Sequence, residues 1–121
     1  MSIRALQMGT NPMKTLGFAP DLIPLILDGS KTVSWRLFDD KNLNVGDEVV
    51  CVHQFTRQPF ATFTITSLII KRLKDIDEID RKGHEKVGNL ADIIDIYQKY
   101  YSKDLTGDEE VKIIRFLAKK L

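Results

Sequence analysis

The sequence predicts an α+β domain, a small mixed β-barrel of about five to six strands flanked by helices. Two observations predict it: β-branched and aromatic runs outnumber the stretches with helical spacing, and the elements come in the order strand, helix, three strands, two helices, strand. A doubly wound sheet would alternate strands and helices instead. With 121 residues we expect a single domain over residues 13–121, preceded by a flexible N-terminal extension, residues 1–12.

The first predicted elements are a short strand and a helix. Residues 13–18 can form the strand. Pro20 then opens a helix over the apolar residues 22–27, where a second proline, Pro24, is tolerated because it falls in or near the first turn. Gly29 fits the position just after the end of the helix.

Three strands are predicted next. Residues 32–38 are β-branched and aromatic, and their alternation places Trp35 on an apolar, core-facing side. A second strand covers residues 48–55 and is broken before Pro59. Residues 60–73 form its hairpin partner.

The last part of the chain predicts two helices and a strand. Residues 75–81 indicate a short helix with an acidic start, and Asn89 is a suitable N-cap for a helix over residues 90–101 with an apolar stripe. Alternating apolar residues within 111–116 suggest the closing strand.

Composition excludes several classes of protein. Cys51 is the only cysteine, and the two histidines are far apart, so no intramolecular disulfide and no metal site are expected, and no cofactor is indicated. No apolar run reaches the ~20 residues that span a bilayer, and a cytoplasmic protein is the simplest expectation. The net charge of +1 does not indicate a nucleic-acid binder, although the 18 basic residues can be unevenly distributed. The oligomeric state is left open.

The segment Gly29-Ser30-Lys31-Thr32-Val33-Ser34-Trp35-Arg36 carries the strongest functional signal. It places an amine, a hydroxyl and a fixed cation between a helix end and a strand, where binding sites are often assembled. Strict strand alternation would separate Lys31 and Ser34, so they can meet only if Lys31 belongs to the turn. Arg36 shares a strand face with Ser34.

This octapeptide resembles the motif of the ASCH family, a branch of the PUA-like β-barrels, which reads Gly-x-Lys-x-x-(hydroxyl or acid)-x-Arg. A second landmark, Gly-Asp at a turn before a long strand, is matched by Gly46-Asp47. The resemblance covers roughly residues 13–117. Larger members, regarded as RNA-binding, often carry glutamate where Ser34 stands, whereas small bacterial members carry threonine and act as amidohydrolases on N(4)-acetylcytidine.

The resemblance implies catalytic roles for Lys31 as general base, Ser34 as nucleophile and Glu85 as acid. The pKa of Lys31, ordinarily about 10.4, must then fall to about 7. Because a nearby anion would oppose this, we expect Glu85 across the pocket rather than paired with Lys31. Without the family alignment, His84 and Glu85 would be solvent-facing loop residues. The implied ligand contacts are Gly29, Ser30, Thr32, Arg36 and Arg57.

The best prediction is therefore hydrolysis of the acyl amide of N(4)-acetylcytidine-like nucleosides, with a modified nucleoside or RNA in the cleft. The alternative is a non-catalytic RNA-binding module, in which Lys31 and Arg36 hold phosphate or base and Arg57, Lys71 and Arg72 contact the backbone. A ribonuclease is the third choice, less favoured because neither histidine is near the motif in sequence.

Overall fold

The computed structural model describes residues 13–121, and the predicted extension over residues 1–12 lies outside the described residues. Single 3₁₀ turns precede the first two helices. The strands and helices follow in this order: β1 (Lys14–Phe18), α1 (Ile23–Leu27), β2 (Val33–Leu37), β3 (Glu48–His53), β4 (Pro59–Arg72), α2 (Glu78–Arg81), α3 (Leu90–Tyr101) and β5 (Glu110–Lys120). This is the predicted order of elements.

The five strands form one curled sheet, a half-barrel, in the order β1-β3-β4-β5-β2. β1 runs parallel to β3, and the other neighbours are antiparallel. The predicted β3–β4 hairpin is present, and β4 continues along β5 with a register shift between Ile65 and Ser67. Such an irregularity bends a strand and helps a sheet to curl. The predicted α+β class and barrel-like architecture are confirmed.

Two apolar clusters form the core. One lies around Phe18, Phe63 and Phe116, and the other lies around Trp35 and includes Ile93 of α3. The prediction that Trp35 belongs to the core is confirmed. Because the second cluster fixes α3 beside β2, the residues of β2 that face α3 can share one cavity with it.

A turn and a long-range backbone hydrogen bond fix the segments at the start of β2. Gly29, with a φ of +83°, ends α1, and the backbone N–H of Lys31 donates to Leu25 O at 2.9 Å. The N–H of Thr32 donates to Gly83 O at 2.8 Å. Lys31 therefore precedes β2, as the prediction required, and the loop that begins at Gly83 is held against it. None of the helices among residues 13–121 has the length and apolarity to cross a membrane.

Candidate functional site

A cavity of about 340 Å³ opens between the end of β1, β2, the loop 84–87 and α3. The loop 84–87 and α3 are far in sequence from β1 and β2. The three residues predicted to be catalytic all line it, together with several aromatic side chains that the motif did not indicate: Lys31, Ser34, Glu85, Phe18, Trp35, His84, Tyr97, Tyr100 and Tyr101.

Lys31 and Glu85 form a buried ion pair at the cavity wall. The distance from Lys31 Nζ to Glu85 Oε1 is 2.5 Å, and the Lys31 amine also donates to Val33 O at 2.7 Å. The exposed fractions of the two side chains are 2% and 23%. The expectation that Glu85 lies across the pocket, unpaired, is wrong: the link between Thr32 and Gly83 brings its loop next to the turn that carries Lys31.

The pair changes the proton affinity of both groups. Burial lowers the pKa of Lys31 below its usual value, although the charge and hydrogen bond of Glu85 oppose this. Burial raises the pKa of Glu85, but the charge and hydrogen bond of Lys31 contribute to an opposing effect that leaves the pKa below its usual value. The 2.5 Å contact is that of a salt bridge between an ammonium and a carboxylate.

Ser34 lies on the same cavity wall, 5% exposed. Its Oγ accepts a hydrogen bond from Arg36 Nε at 3.0 Å, which confirms that these two residues share a strand face. Among the described residues, the Lys31 amine has hydrogen bonds only to Val33 and Glu85. Lys31 and Ser34 thus line one cavity, and no hydrogen bond joins them in the described part of the chain.

His84 is one of the site residues that sequence reasoning missed. Its side chain is 1% exposed and stacks on Trp35 with ring centroids 3.8 Å apart, so the expectation of a solvent-facing loop residue is wrong. The Nδ1 atom of His84 lies 2.7 Å from the backbone oxygen of Glu85, and its Nε2 atom lies 3.5 Å from the hydroxyl oxygen of Tyr97. Burial and the charge of Lys31 lower the pKa of His84 to about 4, so the imidazole is neutral at pH 7.

Arg36 is half-buried and is held by neutral groups. Besides Ser34 it donates to Gly17 O at 3.1 Å and to Tyr100 Oη at 3.2 Å, and its guanidinium lies 4.7 Å from the centre of the Phe18 ring. None of these partners in the described part of the chain is a carboxylate. A guanidinium that lacks a carboxylate partner is available to an anion or to a developing negative charge.

Three of the predicted ligand contacts lie outside the cavity wall. Gly29 and Ser30 are exposed, and Ser30 Oγ donates to Asp28 at 2.6 Å. The backbone N–H of Thr32 donates a hydrogen bond to Gly83 O. These residues shape the turn that positions Lys31, so this geometry gives no support to their predicted contact with a ligand.

The three other basic residues predicted to contact an RNA backbone are not among the residues that line this cavity. Arg57 lines a neighbouring cavity. Lys71 pairs with Asp77 and Asp80, and Arg72 with Asp108, so their predicted part in RNA binding would require these pairs to open. Among residues 13–121, no group of three or more His, Cys, Asp or Glu side chains is placed to bind a metal ion.

Comparison with known proteins supports a likeness in structure only. No family model and no curated protein sequence matches the chain. Among solved structures, the ASCH domain from Lactobacillus crispatus JV V101 is similar with a TM-score of 0.69 and 17% identity, over 90% of this chain and 80% of that one. The chain has the fold of an ASCH domain.

Two other structures share the ASCH fold of this chain. Protein EF3133 from Enterococcus faecalis V583, of family DUF984, has a TM-score of 0.72 and 15% identity, over 95% of this chain and 85% of that one. ASCH from Zymomonas mobilis has a TM-score of 0.59 and 12% identity, over 84% and 64% of the two chains. The resemblance inferred from the octapeptide is thus confirmed for the fold.

Proposed function

We propose that the cavity hydrolyses the acyl amide of N(4)-acetylcytidine-like nucleosides. The observation that carries the proposal is the buried Lys31–Glu85 pair, which opens on the same cavity as Ser34. Amide hydrolysis needs a nucleophile, a base that takes its proton and an acid that protonates the leaving nitrogen. The Ser34 hydroxyl supplies the nucleophile, and the Lys31–Glu85 pair, which holds one mobile proton, supplies the base and the acid.

The first step forms an acyl-enzyme. Ser34 Oγ attacks the acyl carbon, and its proton passes to the Lys31 amine. The amine is neutral once the proton of the resting pair has moved along the hydrogen bond to Glu85. Glu85 then donates that proton to the cytidine nitrogen as the C–N bond breaks. The low dielectric of the buried site reduces the cost of this neutral amine–acid form relative to the ion pair.

The second step restores the enzyme. A water molecule gives a proton to Glu85 and attacks the acyl carbon, and Ser34 Oγ leaves with the proton that Lys31 had taken. The products are the free acid and cytidine, and the Lys31–Glu85 pair returns to its resting state. Arg36, which already donates to Ser34 Oγ, supplies fixed positive charge beside the developing oxyanion.

The walls of the cavity suit a flat, polar ring. Trp35, Tyr97 and Tyr100 are among the lining residues, and the volume of about 340 Å³ is within the range of small-molecule sites. Burial raises the pKa of Tyr97, so its hydroxyl stays protonated and can donate a hydrogen bond. These features support a nucleobase as the part of the substrate that enters.

RNA binding without catalysis is the second candidate. It is favoured by Arg36, whose described partners are all neutral and which could hold a phosphate. A ribonuclease is less favoured from the sequence because neither histidine is near the motif, but the fold places His84 in the cavity wall. However, a histidine with a pKa near 4 is a poor general acid at neutral pH, which keeps this function third.

Turnover of N(4)-acetylcytidine to cytidine by the purified chain tests the proposal. We expect Lys31→Ala and Ser34→Ala each to lower kcat by roughly two to four orders of magnitude. Lys99→Ala, at an exposed residue of α3, is the control and should retain full activity. Absence of turnover by a folded wild-type protein would reject the amidohydrolase and favour RNA binding.

A further inference from the structure

A second cavity of about 370 Å³ adjoins the first. The two share Gly17, Arg36 and two tyrosines of α3 as lining residues, so one extended molecule could occupy both. The second cavity is the more polar of the two: beside the shared tyrosines and Phe38 it is lined by charged side chains and the amide of Gln54. A ligand that is flat and apolar at one end and charged at the other would fit this division.

Two guanidinium groups lie close to Gly17. Arg36 Nη2 donates to its carbonyl oxygen at 3.1 Å. Arg57 Nη1 lies 3.0 Å from the position that a Cβ at residue 17 would occupy, so the absence of a side chain there leaves room for the guanidinium. None of the ion pairs formed within residues 13–121 includes either arginine. Two cations that converge without a carboxylate form a site suited to an anion.

The backbone at Arg57 is held in an unusual conformation. Its φ is +63°, a backbone conformation that residues other than glycine, asparagine and aspartate rarely adopt. The N–H of Arg57 donates to His53 O at 2.8 Å, which ties this turn to the end of β3. Arg57 thus occupies a strained backbone position, which is consistent with a role for its side chain.

The remaining polar groups of the second cavity are consistent with an anion. Asp39 lines it, but its charge is matched by Lys112 at 2.7 Å. Asp40 and Lys41 are also in the lining and have opposite charges. Gln54 Oε1 is buried and is the one buried side-chain oxygen or nitrogen of residues 13–121 without a hydrogen-bond partner. It can accept a hydrogen bond from a hydroxyl group.

We propose that the second cavity binds the phosphate group of a nucleotide between Arg36 and Arg57, with a ribose hydroxyl donating to Gln54 Oε1. This phosphate site rests on the proposed function, because it requires the nucleobase to occupy the first cavity. The substrate is then a nucleotide, free or within an RNA chain, in preference to a nucleoside. The phosphate is a monoester in the first case and a diester in the second.

Binding measured by calorimetry tests this without turnover. The ligands are cytidine, cytidine 5′-monophosphate and the dinucleotide CpC, and the proteins are wild type, Arg57→Asn and Lys119→Gln. Asparagine suits the backbone at residue 57, and Lys119 is an exposed residue of β5 outside both cavity linings. Wild type and Lys119→Gln should bind one of the phosphate-containing ligands about tenfold or more tightly than cytidine, as expected for charge-assisted hydrogen bonds. In Arg57→Asn that preference should fall to about threefold or less.

The outcomes separate this proposal from the hydrolytic one. A preference for the monophosphate identifies a free nucleotide, and a preference for CpC alone identifies RNA. Equal affinity for all three ligands in wild type would overturn the phosphate site even if N(4)-acetylcytidine is hydrolysed. A full preference in Arg57→Asn would overturn the assignment of Arg57. A phosphate preference without hydrolysis would leave this site in place and reject the amidohydrolase.

Discussion

The amine of Lys31 and the carboxylate of Glu85 lie 2.5 Å apart, although 54 positions separate them in sequence. The lysine belongs to the turn before β2, and the glutamate belongs to the loop between α2 and α3. The hydrogen bond from Thr32 to Gly83 joins the two segments just beside the pair. The fold thus places an amine and a carboxylate in hydrogen-bond contact at the wall of a cavity.

The two members of this pair should contribute unequally to stability. Glu85→Gln leaves the Lys31 ammonium, 2% exposed, without its counter-ion, and should lower the free energy of unfolding by about 3 kcal/mol. Lys31→Met leaves a carboxylate that is 23% exposed and can be hydrated, so its cost should be about 1 kcal/mol. Urea denaturation of both variants measures the difference.

The exposed pair between Asp95 and Lys99 of α3 provides the control. Asp95→Asn should cost no more than about 0.5 kcal/mol, as is usual for a surface pair one helical turn apart. If Glu85→Gln is as mild as this control, the Lys31 amine is neutral in the folded protein and the resting ion pair described above is wrong.

His84 should make the protein less stable as the pH falls. Burial and the charge of Lys31 lower its pKa from 6.5 to about 4, while Glu85 acts in the opposite direction and Arg81 adds to the lowering. The unfolded chain takes up a proton below pH 6.5, but the folded one does not until about pH 4. The stability due to neutral His84 is therefore complete above pH 6.5 and is lost progressively below it.

The comparison with His84→Phe, which retains an aromatic ring on Trp35 but cannot titrate, isolates this effect. Between about pH 7 and about pH 5, wild type should lose about 1 kcal/mol or more beyond the loss in the variant, as measured by urea denaturation. Parallel pH profiles of the two proteins would show that His84 is not buried in its neutral form.

The sequence predicted the fold well because strands and helices leave periodic signals. The alternation in β2, the N-cap Asn89 and the turn at Gly29 are local features, and each was read correctly. Strand alternation also indicated that Lys31 must lie in the turn before the strand if it is to share a site with Ser34. The order of strands within the sheet could not be obtained in this way, because it depends on contacts between distant segments.

The loop that carries His84 and Glu85 shows where sequence reasoning failed. It has no periodicity, and its position depends on Gly83, whose φ is +84°, and on the contact with Thr32. The stacking of His84 on Trp35 and the pairing of Glu85 with Lys31 are long-range consequences of that contact. Family resemblance pointed to Glu85, but no signal in the sequence pointed to His84.

Gly83 should therefore be sensitive to substitution. In Gly83→Ala the new Cβ would lie 2.1 Å from Thr32 Oγ1 in addition to the strain of a positive φ. Gly46→Ala is a matched control, since its φ is +91° but nothing lies within 4 Å of its Cβ position. We expect the free energy of unfolding to fall by about 1 kcal/mol at Gly46 and by about 3 kcal/mol at Gly83.

The two glycine variants should also differ in turnover of N(4)-acetylcytidine. Gly83→Ala moves the loop that carries Glu85, whereas Gly46 lies at the turn before β3, outside the lining of both cavities. A Gly83→Ala protein with the stability and activity of Gly46→Ala would contradict the part assigned to the contact between Thr32 and Gly83.

The most direct test of the proposed chemistry is intact-mass analysis of the protein within one turnover after mixing with N(4)-acetylcytidine. The mechanism predicts a transient mass increase of one acetyl group, located on Ser34 by peptide mapping and absent from Ser34→Ala, whose turnover should be lowered as stated under the proposed function. A Ser34→Ala protein that hydrolyses the substrate at the wild-type rate, with no acetyl group on the wild-type protein, would contradict the account.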